Sequence, residues 1–221
     1  MKIKKEKWDT LDGVLDKIWL MLEQGAAHSD DPFHWPVLGT KAKEGCSLRT
    51  VILRQVNVPD RILVCHTDAR SAKVQEIMKS SQTSWIFYHP KKKIQVRISG
   101  HARLHARDPY ADRQWADTSI TSRLNYCTFE PPGTPIDKPS SGLPDFLRNK
   151  IPTILETEMG RKHFMAIAVQ IFSIDWLILK ITGNRRARFE WDGDRLHATW
   201  PGSYTHLRAH ETNPCIAYAG F

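Results

Sequence analysis

The stretch SLRTVILRQVNV, from Ser47 to Val58, carries the most information about the fold of this chain. It is rich in β-branched residues, which favour strands, and we predict a single strand over it. Arg49 and Arg54 flank its apolar centre, and a cation beside a buried strand costs free energy unless an anion compensates it. The two arginines are five residues apart, so they face opposite sides of a regular strand. Both can reach one anion only if one lies at a strand end or the strand bends; otherwise both are exposed or paired with nearby acids.

Segments of similar composition lie on both sides of this stretch, with turn residues between them. They predict further strands at Val37–Lys41, Arg61–Thr67, Ser84–His89, Ile94–His105, His163–Phe172, Asp175–Ile181, Arg185–Trp191 and Arg195–Thr199. Helices are predicted at Asp9–Gln24, at Arg70–Lys79 and from Asp108 to Asp117. We expect Gly25 to end the first helix and Ser173-Ile174 to form a turn. The Pro-rich range 130–142 is expected to be a loop, and 145–160 to be partly helical.

This order of elements predicts a mainly β (α+β) protein, an antiparallel β-barrel with peripheral helices. The strands are joined by short connections without βαβ alternation, which argues against a doubly wound sheet. The Asp192-Gly193-Asp194 turn between alternating segments is typical of a hairpin. We expect one domain over residues 1–202. Residues 203–221 break the pattern and resemble a non-native tail; a genuine, poorly packed terminus is the alternative.

Composition narrows the functional classes without choosing one. The chain has 221 residues and a formal charge of +8, which attracts nucleic acid, phosphorylated cofactors or acidic surfaces. No helix-turn-helix or RNA-binding motif is recognisable, so nucleic acid is not the expected partner. No apolar run is long enough for a membrane helix, and the N-terminus does not resemble a signal peptide. The four cysteines are widely spaced without a CxxC pair, which fits a reducing, cytoplasmic location.

Common catalytic and cofactor motifs are missing from the sequence. It has no G-x-G-x-x-G fingerprint, phosphate-binding P-loop, H-E-x-x-H or G-x-S-x-G. His101 and His105 are four residues apart but fall in a predicted strand, where this spacing does not give ligand geometry. We therefore predict no metal site.

Four motifs, taken together and in order, resemble the pyridoxamine 5′-phosphate oxidase-like family of FMN-binding split barrels. RTVILR at Arg49–Arg54 fits the family's Arg-x-Val-x-Leu-Lys/Arg strand. VCHTDARSAK at Val64–Lys73 is similar to its Tyr-Thr-Asn-x-x-Ser-Arg-Lys turn. KIQVRISG at Lys93–Gly100 resembles its Arg-Gln-Val-Arg-x-x-Gly strand, and NRRARF at Asn184–Phe189 replaces a motif ending in Arg-Leu-His-Asp-Arg. The resemblance implies an antiparallel split barrel.

The resemblance also implies which residues bind FMN. They are Arg49, Thr50, Val51, Ile52, Leu53, Arg54, His66, Thr67, Ser71, Lys73, Gln95 and Arg188. Arg49 and Arg54 would contact the phosphate and ribityl region, where a guanidinium suits a phosphate. Ser71 and Lys73 lie where a helix begins, and the free N–H groups there favour a phosphate.

Two of these residues would complete the site around the flavin ring. Gln95 would form a hydrogen bond with the ring edge. Arg188 would reach the flavin from a second subunit, because family members bind FMN at a dimer interface. The resemblance therefore implies a homodimer with FMN at the interface and a small-molecule substrate.

The sequence departs from the family pattern at several positions. Ala72 replaces an arginine of the phosphate turn, and Arg70 is a candidate to supply that contact. Arg186 occupies the place of the histidine that defines true pyridoxamine phosphate oxidases. The range 122–133, with Ser-Arg-x-x-Tyr followed by Pro-Gly, resembles the oxidase-related branch. We expect Arg123 and Arg186 to hold an anionic group of the substrate.

The implied function is an FMN-dependent oxidoreductase that acts on CH–NH2 type substrates. A substrate C–H would pass a hydride to the flavin, and oxygen would reoxidise it. The substrate can differ from pyridoxamine phosphate, and no side chain stands out as a catalytic base. The alternative is a non-catalytic flavin-binding or haem-binding stress or sensor protein of the same fold. A haem would need an axial ligand, for which His89, His101 and His197 are candidates.

Overall fold

The computed structural model describes residues 8–181 and 183–202. Within them, nine antiparallel strands form one sheet. The strands are β1 (Val37–Lys41), β2 (Cys46–Thr50), β3 (Leu53–Asn57), β4 (Ile62–Asp68), β5 (Gln82–His89), β6 (Ile94–His105), β7 (Phe164–Ile178), β8 (Arg185–Asp192) and β9 (Arg195–Thr199). The order is β2-β1-β5-β6-β7-β4-β3, β8 pairs with β7, and β9 pairs with β8. This sheet curves around the core but does not close.

The prediction of a single strand from Ser47 to Val58 is wrong, because this segment forms the two strands β2 and β3. β2 pairs with β1, whereas β3 pairs with β4, so the chain changes partners between them. At the break, the Val51 N–H leaves the sheet pattern and donates to the Pro36 carbonyl at 2.9 Å. The register shifts between Leu53 and Gln55, which leaves Arg54 in a β-bulge. The β-branched composition continues across the break, so it gives no sign of the partner change.

The expected turn at Ser173-Ile174 is also wrong. β7 is one continuous strand of 15 residues. It pairs with β6 along both halves, with β4 through residues 164–170 and with β8 through residues 173–178. Ser173 lies opposite both Ser99 and Glu190, so hydrogen-bonded neighbours on two sides keep it extended. A bulge between Ser99 and Gly100 on β6 absorbs the local irregularity.

Five α-helices lie around the sheet within the described residues. They are α1 (Leu11–Ala27), α2 (Ala72–Lys79), α3 (Pro109–Ala116), α4 (Ile120–Arg123) and α5 (Ile154–Thr157). The Thr10 side chain caps α1 by accepting from the Gly13 N–H at 3.1 Å. The expected loop at 130–142 is present, and 145–163 holds only α5 and short 3-10 turns. No helix within 8–181 and 183–202 has the length and apolar character to cross a membrane.

Gly25 does not end α1, contrary to expectation. It lies buried inside the helix, which continues to Ala27. A Cβ at Gly25 would lie 2.6 Å from the Phe33 Cβ and 2.7 Å from its carbonyl carbon. The glycine is needed because the turn Pro32–His34 packs directly on the helix backbone there.

The main core lies between α1 and the inner face of the sheet. Val14, Ile18 and Leu22 of α1 are fully buried, as is Trp176 of β7. A smaller cluster joins α3 and the turn that follows α4 to the sheet: Val64, Trp115, Tyr126, Phe164 and Ala166. Large aromatic side chains supply much of the buried apolar area in both clusters, and this burial favours the folded state. The two clusters place α2 and α3 on either side of β4.

Replacing Gly25 with alanine tests the contact with Phe33. Contacts this close with backbone atoms put the overpacking cost at the upper end of its usual range, about 2–3 kcal/mol, whereas alanine gains about 1 kcal/mol of helix propensity. We expect Gly25→Ala to lower the free energy of unfolding by about 1–2 kcal/mol, measured by urea denaturation. Gln24→Ala, at the neighbouring exposed position, should change it by less than about 0.5 kcal/mol. Equal or greater stability of Gly25→Ala would contradict the close packing.

Candidate functional site

A polar cluster surrounds the start of α2. The Lys73 ammonium donates to Thr67 Oγ1 at 3.1 Å and to Ser71 Oγ at 3.2 Å, and these two hydroxyls lie 3.0 Å apart. Thr67 and Ser71 are buried. Ser71 occupies the N-cap position, yet its side chain accepts no bond from the helix. The cluster therefore combines a cation, two hydroxyls and the N-terminal end of a helix, which suits an anion.

Arg49 of β2 reaches the same helix from the other side. It forms an ion pair with Glu76 at 2.8 Å and also donates to Ser47 at 2.7 Å and to Thr40. Burial raises the pKa of Glu76, but hydrogen bonds from Thr40 and Arg49 outweigh it and lower this pKa below its usual value. Glu76 is thus ionised and compensates Arg49.

The charged form of Lys73 is disfavoured by its surroundings. Burial lowers its pKa, and the nearby Arg49 charge lowers it further. Among residues 8–181 and 183–202, neither Lys73 nor Arg54 forms an ion pair. A partly buried cation without a paired carboxylate favours binding of an external anion.

Arg54 lies in the bulge of β3. One of its terminal nitrogens donates to the Ser122 hydroxyl at 3.3 Å, and its Nε is buried without a hydrogen-bond partner in the described structure. An unsatisfied buried donor costs about 1–3 kcal/mol, so a ligand oxygen here would be favourable. Because a bulge redirects the strand, the parity that separates Arg49 from Arg54 in a regular strand does not apply.

The positive charges of Arg49, Arg54 and Lys73 all act on one buried group, the Cys65 thiol of β4. Burial raises the pKa of Cys65 to about 12, and the three cations oppose this rise. Arg49 contacts α2 through Glu76, Lys73 lies at the start of that helix, and Arg54 lies at Ser122. Residues 50–53, which are also predicted to bind the cofactor, form the strand break between Arg49 and Arg54.

His66 faces the opposite side of β4 from Cys65. Burial lowers its pKa to about 4, so the ring is neutral at pH 7. Gln114 donates to Gln55 Oε1 at 2.7 Å, which turns its own oxygen toward His66 Nε2 at 2.9 Å. The His66 Nδ1 atom is then an acceptor, buried and without a partner.

A cavity of about 390 Å³ opens beside His66. Its lining includes Arg54, Gln55, His66, Gln114 and Thr118. Gln55, Gln114 and Thr118 were not predicted as site residues, since a lone amide or hydroxyl in a strand or helix carries no sequence signal.

Gln95 and Arg188 do not join these residues within one chain. They lie on β6 and β8, and Gln95 shares the outward-facing side of β6 with Arg97. Arg97 and Arg188 line a second cavity of about 450 Å³, together with Asp175 and Arg186. Arg188 forms an ion pair with Glu190 at 2.8 Å. A site that includes Gln95, Arg188 and the cations around Cys65 would therefore need two chains.

Asp175 forms ion pairs with two arginines on this outward face. It lies 2.7 Å from Arg97 and also pairs with Arg186. Burial raises the pKa of Asp175, but the two arginines outweigh this effect and lower it. Arg186, a predicted substrate residue, is thus held at a cavity by one carboxylate that it shares with Arg97.

Arg123, the other predicted substrate residue, is held inside the protein by hydrogen bonds. It is buried, its Nε donates to the Thr118 carbonyl at 3.1 Å, and its terminal nitrogens bind Glu158 and the Trp115 carbonyl, each at 2.8 Å. The guanidinium also lies over the Trp115 ring, 4.5 Å from its centroid. All three nitrogens are engaged, so we withdraw the substrate role for Arg123.

Arg70 does not replace the arginine that is missing at Ala72. It pairs with Asp68 at 2.7 Å and donates to the carbonyls of Thr128 and Phe129. Its guanidinium therefore holds the loop after α4 against the turn before α2. Neither Ala72 nor Arg70 therefore supplies the guanidinium contact that the family pattern places at residue 72.

Part of the chain is similar to proteins of a known family. Residues 17–106 match the model of the pyridoxamine 5′-phosphate oxidase FMN-binding domain. A pyridoxine/pyridoxamine 5′-phosphate oxidase of Ruegeria sp. is 34% identical over 76 residues, which is 34% of this chain and 36% of that protein. The match thus spans about a third of the relative's length.

Two solved structures share the fold. The FMN-binding, pyridoxamine 5′-phosphate oxidase-related protein of Nostoc punctiforme has a TM-score of 0.68 at 21% identity, over 85% of this chain and 96% of that one. PhzG of Burkholderia lata, solved with tetrahydrophenazine-1-carboxylic acid, has a TM-score of 0.61 at 17% identity, over 86% and 91%. They confirm the predicted antiparallel split barrel with peripheral helices. The resemblance to the pyridoxamine 5′-phosphate oxidase-like family is therefore confirmed, and residues 17–106 are the part of the chain that matches its FMN-binding domain.

Proposed function

We propose that this protein binds FMN between two identical chains and acts as an oxidoreductase on a small-molecule substrate. The observation that carries the proposal is the Lys73 ammonium, which two buried hydroxyls hold at the start of α2 without a paired carboxylate among the described residues, with Arg49 on the same helix. The surplus positive charge matches the dianionic phosphate monoester of FMN. The family supports flavin binding in general terms.

The residues present fit the phosphate end of FMN. Lys73, Thr67 and Ser71 offer an ammonium and two hydroxyls at the start of α2, and the unpartnered Arg54 Nε adds a donor. Residues 50–53 would contribute backbone groups at the strand break. His66 Nδ1 is a buried acceptor that can take a hydrogen bond from a ribityl hydroxyl.

A second chain would supply the remaining contacts. Gln95 and Arg188 lie on the outward face, so they would approach the flavin ring of a neighbouring chain. When bound, FMN would accept a hydride from a substrate C–H and return the electrons to an acceptor such as oxygen. Arg186 would orient an anionic substrate, with Asp175 holding its guanidinium in place.

The visible spectrum of the purified protein tests the cofactor. We expect a yellow protein, or one that takes up one equivalent of added FMN per chain, with a dimer mass by light scattering. Release of hydrogen peroxide on addition of pyridoxamine phosphate or other amines would separate an oxidase from a non-catalytic flavoprotein. A colourless protein that does not take up FMN would refute the proposal, and a Soret band would favour the haem alternative.

Comparison of FMN with riboflavin tests the phosphate contacts. A hydrogen bond to a charged group contributes about 1.5–3 kcal/mol, so Arg54→Gln or Lys73→Gln should weaken FMN binding about 10- to 100-fold. Riboflavin has no phosphate, so its affinity should change less than about 3-fold. Both are measured by quenching of flavin fluorescence. Arg103→Gln, at an exposed position on β6, is the matched control. Equal losses for FMN and riboflavin would argue against a phosphate contact.

Mixed dimers test whether the site spans two chains. Lys73→Gln and Gln95→Ala should each weaken FMN binding as homodimers. If the two residues act in one site from different chains, the heterodimer of these variants keeps one intact site and one doubly altered site. We expect the co-expressed heterodimer to recover one high-affinity site per dimer by titration. If no such site is recovered, Gln95 does not act across an interface.

A further inference from the structure

An apolar groove with a basic rim lies away from the proposed flavin site. It has a volume of about 590 Å³ and runs between α1, the start of β6 and the end of β7. Trp8, Leu20, Met21, Ile94 and Ile178 provide its apolar lining. Leu20 is 53% exposed, so its side chain is accessible to a ligand in the groove. The volume is within the usual range for a small-molecule site.

The charged residues of the groove are all cations. Lys17, Lys92 and Lys180 line it, and no carboxylate of the described residues does. The Lys17 ammonium lies 3.9 Å from the centre of the Trp8 ring, which itself stacks on Trp176 at 5.3 Å. The exposed Lys92 and Lys180 beside an apolar surface create a positive potential that favours an anion with an apolar body.

The groove is distinct from the residues proposed to bind FMN. Ile94 contributes to it from the inner face of β6, whereas the adjacent Gln95 faces the opposite side of that strand. Neither Lys73 nor Arg54 lines it. A ligand in the groove would therefore leave the phosphate contacts free.

We propose that this groove binds a small amphiphilic anion, a monocarboxylate with an aliphatic tail of medium length. The tail covers the exposed Leu20 and the partly exposed Trp8, and burial of their apolar surface drives its binding. The carboxylate lies at the rim, where Lys92 and Lys180 attract it. Charge complementarity selects this occupant over a neutral or cationic amphiphile.

Calorimetric titration with decanoate, below its micellar concentration, tests the site. We expect saturable binding of one decanoate per chain, at least 10-fold tighter than binding of decyltrimethylammonium. The affinity should fall as salt is raised, because the rim is exposed to solvent. Equal affinity for the two compounds would show that charge does not contribute and would overturn the proposal.

Substitutions at the rim provide the second arm of the test. The double variant Lys92→Glu/Lys180→Glu should bind decanoate at least 10-fold more weakly, and Leu20→Ser about 3- to 10-fold more weakly. Lys162→Glu, an exposed lysine on another element, should change the affinity less than 2-fold. Uptake of FMN should be unchanged in all these variants, so failure here is independent of the proposed flavin function. Unaltered decanoate binding by the double variant would place the ligand elsewhere.

Vesicles distinguish a soluble ligand from a membrane surface. We expect the protein to remain in the supernatant when phosphatidylglycerol vesicles are sedimented, at lipid concentrations equal to the decanoate concentrations that saturate the groove. Sedimentation with vesicles in the absence of decanoate binding would assign the groove to a lipid surface and refute the small-ligand proposal.

Discussion

The change of hydrogen-bonding partner between Thr50 and Leu53 is the constraint on which the other features depend. β2 belongs to one edge of the sheet through β1, and β3 belongs to the other edge through β4. Two residues outside any strand connect them, so the chain crosses from one edge to the other in a very short distance. The crossing leaves Arg49 beside α2, where it pairs with Glu76, and Arg54 beside Ser122, where the bulge redirects the strand. The strand break between Thr50 and Leu53 thus determines both the order of the strands and the positions of Arg49 and Arg54.

The cost of keeping cations near a buried strand explains the polar network around them. Glu76 compensates Arg49, and the hydroxyls of Thr67 and Ser71 accept from Lys73. These contacts hold the cations in place without neutralising all of them, because hydroxyl groups carry no net charge. A region arranged in this way favours a dianion and gains little from a neutral ligand.

Sequence patterns predicted much of the local structure, since β1, β6 and β9 have the predicted bounds. They failed where long-range pairing decides the outcome. Nothing local distinguishes a strand that keeps its partner from one that changes it, as at Val51, or shows that Ser173 is held by two neighbours. Motif resemblance predicts Arg49, Arg54 and Lys73 as binding residues, but a motif does not show which side chains are buried, and Arg123 is one of those. Its charge is satisfied inside the protein by Glu158 and backbone carbonyls.

The continuity of β7 limits where the chain can vary in length. Three neighbouring strands take their register from it, so one added residue would displace the side chains of β4, β6 or β8 to the wrong face. The length of the loop between Glu130 and Gly142 is not constrained by strand register, because the loop is outside the sheet. Insertions are therefore tolerated in that loop, whereas the pairing of β7 with three strands fixes its number of residues.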